Sequence, residues 1–261
     1  MGYKLIAADL DRTLLRSDGT ISDFTRDTIR RCMEAGVGFT FATGRMYCSA
    51  LPFAQRLQLQ LPLITYQGAL LKGIDGRVMH ALHLPQDIAD ELEKILRKSG
   101  MHYNIYADEK MYFYTFWQQF LDYPRHIGVE PLAAPHGLGA LAVTQFGVFD
   151  EPEPIQALQQ QITAQFGDAV HTVITSGRFL EICHPLAQKS YGLQQLAQHL
   201  GIARQDVVAI GDNNNDLDML QYAGLGVAVE NAVPAAKAAA DRLTASNDDD
   251  GVAKLIAELV L

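Results

Sequence analysis

The chain has 261 residues, 48% of them hydrophobic, with a formal charge of −9 and a pI near 5.3, enough apolar content for one large domain or two smaller ones. That acidic balance argues against a nucleic-acid partner, which requires clustered Lys and Arg, and no apolar run approaches the roughly 18 residues of a membrane helix. Cys32, Cys48 and Cys183 lack metal-ligand spacing and read as free thiols, and the opening residues carry neither an export signal nor, with Ile6 in place of Ser or Thr, a myristoylation pattern, so a cytoplasmic location is the expectation.

In chain order, residues 4–8 read as a buried strand. A helix follows from an N-cap at Ser22 to Ala35, with Gly36 placed to end it. Strands at 38–42 and 63–66 continue the alternation of a parallel α/β sheet. From about residue 84 the character changes. A charged helix over 85–98 leads into the tyrosine-rich, β-prone stretch 102–117, then a helix over 154–166 and strand-like runs at 170–174 and 179–183, which together suggest an α+β insert. Helix 191–200, strand 207–210, helix 216–222, strand 226–229 and further helices then resume the first pattern. The expected architecture is a Rossmann-like core domain of residues 1–83 and 185–261 with an inserted α+β domain of residues 84–184.

Four sites carry chemistry. Asp9 and Asp11 lie at the carboxyl end of the first predicted strand, the end that faces the ligand crevice in an open parallel sheet. If the chain stays extended, both point the same way and share one site. Two carboxylates there would repel unless a divalent cation neutralises one, and an oxygen-only cluster suits Mg²⁺. Gly211-Asp212-Asn213-Asn214-Asn215-Asp216 follows a later strand and supplies further ligands to the same crevice. Thr43-Gly44-Arg45 and Lys189 offer a hydroxyl, N–H groups and cations to hold phosphoryl oxygens as charge moves during transfer.

Taken in order, these four segments resemble the motifs of the haloacid dehalogenase-like hydrolase superfamily, in its Cof-type phosphatase branch with an inserted cap, and the resemblance spans essentially the whole chain. Asp250-Gly251-Val252-Ala253 is also similar to a stretch often seen near the end of that branch. There are two departures: Arg12 stands where the family usually has Gly, and Gln67 where the branch more often has Asn. The resemblance implies that Asp9 attacks phosphorus and carries the phosphoryl group, and that Asp11 serves as acid and then base. It also implies that Mg²⁺ is held by Asp9, the Asp11 carbonyl and Asp212, with Asn215 and Asp216 in support. Thr43, Gly44, Arg45, Lys189 and Asn215 would contact a small phosphorylated metabolite.

Each residue alone has a plainer reading. An isolated Asp-x-Asp is usually a turn, Thr43 a helix cap and Lys189 a surface charge; the ordered set carries the inference. Tyr103, Tyr106, Tyr112, Tyr114 and Trp117 read as packing in the insert rather than a pocket lining, and His102, His126 and His184 lie outside every motif. Transfer of the phosphoryl group to an acceptor other than water is the alternative enzyme reading. A phosphorylatable regulatory module is the non-enzyme reading, disfavoured by the insert. An insert of this size shields a site without a second subunit, so a monomer is expected.

Overall fold

The computed structural model describes residues 2–114, 124, 129–135, 137–139, 141–175 and 177–261. The strands, in chain order, are β1 Leu5–Ala8, β2 Gly38–Phe41, β3 Leu63–Thr65, β4 Leu70–Lys72, β5 Val78–Ala81, β6 His102–Ala107, β7 Lys110–Phe113, β8 Pro131–Ala133, β9 Val143–Phe149, β10 His171–Thr175, β11 Phe179–Cys183, β12 Val207–Gly211, β13 Leu225–Val229 and β14 Arg242–Thr244. Two compact units result, one of residues 1–80 and 188–261, the other of residues 81–187. The chain has the expected mixed α/β fold with a parallel core sheet.

In the first unit β14-β13-β12-β1-β2 form a five-stranded sheet. All of its pairings are parallel, and Ala8 lies between Ile210 and Phe41. Every residue of β1 and β12 is buried, the mark of a parallel sheet covered on both faces. Helix Asp23–Glu34 begins at Ser22, whose hydroxyl accepts from the Thr25 N–H at 3.0 Å. It buries Thr25, Thr28, Ile29 and Cys32 at helical spacing and packs on the C-terminal helix Gly251–Leu259.

β3 departs from the expected parallel arrangement. Among the described residues a single isolated parallel bridge, Ala42 to Ile64, ties it to the core sheet. Its register is antiparallel to β4, in a separate sheet of order β3-β4-β5. Helix Tyr47–Arg56, which carries Pro52 in its interior, has no sequence-based counterpart.

The second unit is built on a sheet of order β10-β11-β9-β6-β7-β8. Helices Gln86–Ser99 and Pro152–Phe166 supply Leu92, Leu96, Ile155, Leu158 and Ile162 to a core shared with Tyr103, Ile105, Phe146, Val148, Leu180 and Ile182. Burying such side chains contributes roughly 1.5–3 kcal/mol apiece. Tyr112 and Tyr114 pack against this core, as expected of the aromatic run. Trp117 and His126 lie outside the described residues. Burial lowers His102 to about 4, which keeps the ring neutral, and the His184 ring closes a local turn by accepting from the Leu186 N–H. Cys32, Cys48 and Cys183 are free thiols. Among the described residues no helix is long and apolar enough to cross a membrane.

Candidate active site

β1 stops at Ala8. Asp9 keeps an extended backbone and donates its N–H to the Ile210 carbonyl at 2.9 Å, so its position is fixed by the middle of the core sheet. The chain then coils tightly through residues 10–14, with the Leu15 N–H returning to the Leu10 carbonyl. Arg12 adopts φ 61°, the left-handed conformation a glycine takes freely and which costs another residue about 1–2 kcal/mol. The arginine therefore preserves the backbone that glycine would give at this position.

The coil separates the two carboxylates that a continuous strand would have aligned. Asp9 is buried and receives Lys189 Nζ on Oδ1 at 2.6 Å. Asp11 has a half-exposed side chain and is gripped by Arg45 through two bonds, Nε to Oδ2 at 2.7 Å and a terminal nitrogen to Oδ1 at 2.6 Å. Arg45 is itself steadied by Ser49 Oγ at 3.3 Å and by the Phe53 ring, 5.3 Å from its centroid.

Lys189 was expected just ahead of a helix; it is the first residue of helix Lys189–His199. That helix start is capped from another element, because Asp218 Oδ2 accepts from the Ser190 N–H at 2.7 Å. The helix sits against the turn at residues 66–68, where Gly68 has φ 94° and a Cβ would lie 2.0 Å from the Gln188 carbonyl oxygen. A side chain at Gly68 would push the helix start away and displace Lys189.

Lys189 Nζ also binds Asp216 Oδ1 at 2.6 Å, and neither side chain has any exposure. Asp216 Oδ2 takes the N–H groups of Asp212 and Asn213 at 2.8 and 2.9 Å. This fold-back is possible because Gly211 carries no Cβ, which would stand 2.6 Å from the Asp216 side chain. With both oxygens occupied by donors, Asp216 anchors the loop and the lysine. Asp212 is buried as well, and its Oδ1 accepts from Thr13 Oγ1 at 2.9 Å.

Asp9, Asp212 and Asp216 thus offer oxygens that all lie within 4.8 Å of one another. Three buried carboxylates share one ammonium. Burial, followed by the neighbouring carboxylates, drives Asp9 well above the usual carboxylate range against the opposing pull of Lys189. Burial and then Asp216 raise Asp212 to about 6. Burial would depress Lys189, but its two carboxylates outweigh that and hold it charged. The site therefore has a deficit of positive charge. Asp9 Oδ2 and Asp212 Oδ2 accept no hydrogen bond among the described residues, and an all-oxygen set with this charge suits a hard divalent cation.

Thr43 is buried, and its hydroxyl accepts from the Arg45 N–H at 3.1 Å, which shapes the Thr43-Gly44-Arg45 turn. Asn215 is partly buried and donates to Gln67 Oε1 at 3.1 Å. Gln67 adopts φ 55°, a conformation Asn tolerates better than Gln. Two side chains with a part here have no role in the sequence-based reading, Thr13 and Ser49, and Gln67, noted there as a departure from the family pattern, proves to be the partner of Asn215. Thr13 falls within a motif segment, whereas Ser49 lies on a helix that carries no such signal.

The chain matches the model of a family described as haloacid dehalogenase-like hydrolase over residues 6–256. A Bacillus subtilis protein named 5-amino-6-(5-phospho-D-ribitylamino)uracil phosphatase YitU is 32% identical over 97% of this chain and 96% of its own length. Among solved structures, a haloacid dehalogenase-like hydrolase from Bacteroides thetaiotaomicron superposes with a TM-score of 0.88 at 26% identity, covering 98% of this chain and 99% of that one. TM0651 from Thermotoga maritima does so at 0.87 and 28%, covering 99% of this chain and 98% of that one. With its four ordered motifs, its parallel core sheet and these whole-length similarities, the chain belongs to the haloacid dehalogenase-like hydrolases and is a phosphatase of that family.

Proposed function

We propose that this phosphatase is Mg²⁺-dependent and hydrolyses small phosphomonoesters, sugar phosphates or similar metabolites, through a phosphoryl group carried on Asp9. The supporting observation is the buried Asp9 carboxylate, pinned through Oδ1 by Lys189 with Oδ2 left to react. Asp9 Oδ2 attacks phosphorus, the bond to the leaving oxygen breaks, and Asp11 gives that oxygen its proton. Water then attacks the same phosphorus and loses a proton to Asp11. Phosphate leaves and the Asp9 carboxylate is restored.

Asp9, the Asp11 carbonyl and Asp212 would hold Mg²⁺, with Asn215 and Asp216 in support. When bound, the ion neutralises the carboxylates and draws off charge from the phosphoryl oxygens. Lys189, the Thr43 hydroxyl, the Gly44 N–H, Arg45 and Asn215 would grip those oxygens. A phosphate dianion competes with Asp11 for the Arg45 guanidinium, so binding substrate would free Asp11 for proton transfer.

In this reading the first unit is the catalytic domain, and the insert, residues 84–184, sets which phosphomonoester is accepted. The name of the Bacillus relative, a phosphorylated ribityl compound, supports a phosphorylated, hydroxyl-rich substrate class. The protein would act as a cytoplasmic monomer without nucleic-acid or membrane partners.

The test is phosphate release from a panel of phosphorylated metabolites with Mg²⁺ and with a chelator. Release only with Mg²⁺, and without any added acceptor, is the expected result. Release only when an acceptor is supplied would make the protein a phosphotransferase, and release equal in chelator would remove the metal from the mechanism. Cation binding needs Asp212 ionised, so the Mg²⁺ concentration for half-maximal activity is expected to rise as pH falls through about 6.

A further inference from the structure

The segment Asp250–Ala253 takes no part in the chemistry above, yet the structure ties it and its neighbours to the coil that carries Asp11. The Arg12 carbonyl accepts from Asn231 Nδ2 at 2.8 Å, and the Leu15 carbonyl accepts from Asn247 Nδ2 at 2.9 Å. The two asparagines lock each other, since the Asn247 N–H donates to Asn231 Oδ1 at 2.9 Å. Asn247 is 4% exposed.

Just beyond, Asp250 accepts from Arg16 at 2.7 Å, Ser22 Oγ at 2.7 Å and Thr25 Oγ1 at 3.1 Å, which fixes the far end of the coil against the first helix. Asp11 therefore lies between Asp9, held by the sheet, and Arg12, a left-handed residue whose carbonyl is held by Asn231. A strained residue persists only where its surroundings over-determine it.

We propose that Asn231 and Asn247 are positioning residues for the proton transfer by Asp11, acting through the Arg12 and Leu15 carbonyls. The inference rests on the acid role given to Asp11 above. With either amide removed, the Arg12 turn relaxes and Asp11 loses its alignment with the leaving oxygen, while Asp9, Lys189, Asp212 and Asp216, held by other elements, stay in place; any shift of the Asp11 carbonyl acts on both substrates below alike.

The two effects separate by leaving group. A nitrophenyl phosphate expels a stable phenolate and needs little help from an acid, whereas an alkyl phosphate such as a hexose 6-phosphate must have its leaving oxygen protonated. The test compares kcat/KM for these two substrates in the native chain, Asn231→Ala, Asn247→Ala and Asp11→Asn. The ratio cancels the concentration of active protein, so partial unfolding of a variant does not obscure the result.

We expect the alkyl-to-nitrophenyl ratio to fall on the order of tenfold in each asparagine variant, the scale of a misaligned catalytic group, and further in Asp11→Asn. An unchanged ratio in the asparagine variants, with a lowered one in Asp11→Asn, overturns the positioning role and leaves the acid assignment standing. An unchanged ratio in Asp11→Asn overturns the acid assignment and this inference with it.

Discussion

Asp9→Asn is expected to lower kcat by at least about 10⁴-fold with the fold intact, because an amide cannot displace an alkoxide from phosphorus and the other buried carboxylates are committed elsewhere, Asp216 to Lys189 and the loop N–H groups and Asp212 to the cation. The choice of Asn matters. Three carboxylates around one ammonium already repel, and removing one charge relieves that repulsion. The metal-free variant should therefore unfold at the same temperature as the native chain or slightly above it. Loss of activity together with a lowered unfolding temperature would mean that Asp9 is structural. The two readouts, turnover and thermal unfolding, separate these cases.

Lys189→Met is expected to be the most damaging single change to stability. Its ammonium has no exposure and binds Asp9 and Asp216 at 2.6 Å each. Methionine fills a similar volume but leaves two buried carboxylates uncompensated, beside Asp212. Breaking a buried ion pair from one side costs about 3–5 kcal/mol, which in a protein of this size lowers the unfolding temperature by roughly 10 °C. Adding Asp9→Asn to Lys189→Met should recover part of the loss, since it removes one of the orphaned charges; additive losses would show that the pair is not coupled. Activity should disappear in both proteins, so the unfolding measurement carries the comparison.

Much of this structure was legible in the sequence where local signals are strong. The helix at Asp23–Glu34 has a capping Ser22 at its start and Gly36 just past its end. β1 and β12 are short apolar runs that close on carboxylate-bearing loops. β9 was missed although it lies in the middle of the second sheet, because Thr144, Gln145 and Gly147 break its apolar pattern. Its burial comes from β6 and β11 on either side rather than from composition. β4, β5 and β14 are short strands defined by their partners.

The site divides the same way. Asp9, Asp212, Asp216 and Lys189 could be singled out because their residue types and order carry the pattern, and the structure brings their side chains together. The pairings that orient them are long-range. Thr13 meets Asp212 across 199 positions, Gln67 meets Asn215 across 148, and Arg45 meets Asp11 across 34. No local signal encodes such contacts; they follow from the order of strands in the sheet. The separation of Asp9 from Asp11 was illegible for a different reason. Alternation predicts a common direction only while a strand continues, and the left-handed Arg12 belongs to a coil that begins directly after β1.

The most direct test of the central claim is to trap the phosphoryl group. The native chain is mixed with Mg²⁺ and a phosphomonoester labelled at phosphorus, quenched in acid within the first turnover, and the labelled peptide is mapped. The label is expected on Asp9, and is expected to be absent from Asp9→Asn treated alike. Label on another side chain, or equal labelling of Asp9→Asn, would contradict a mechanism that passes through Asp9.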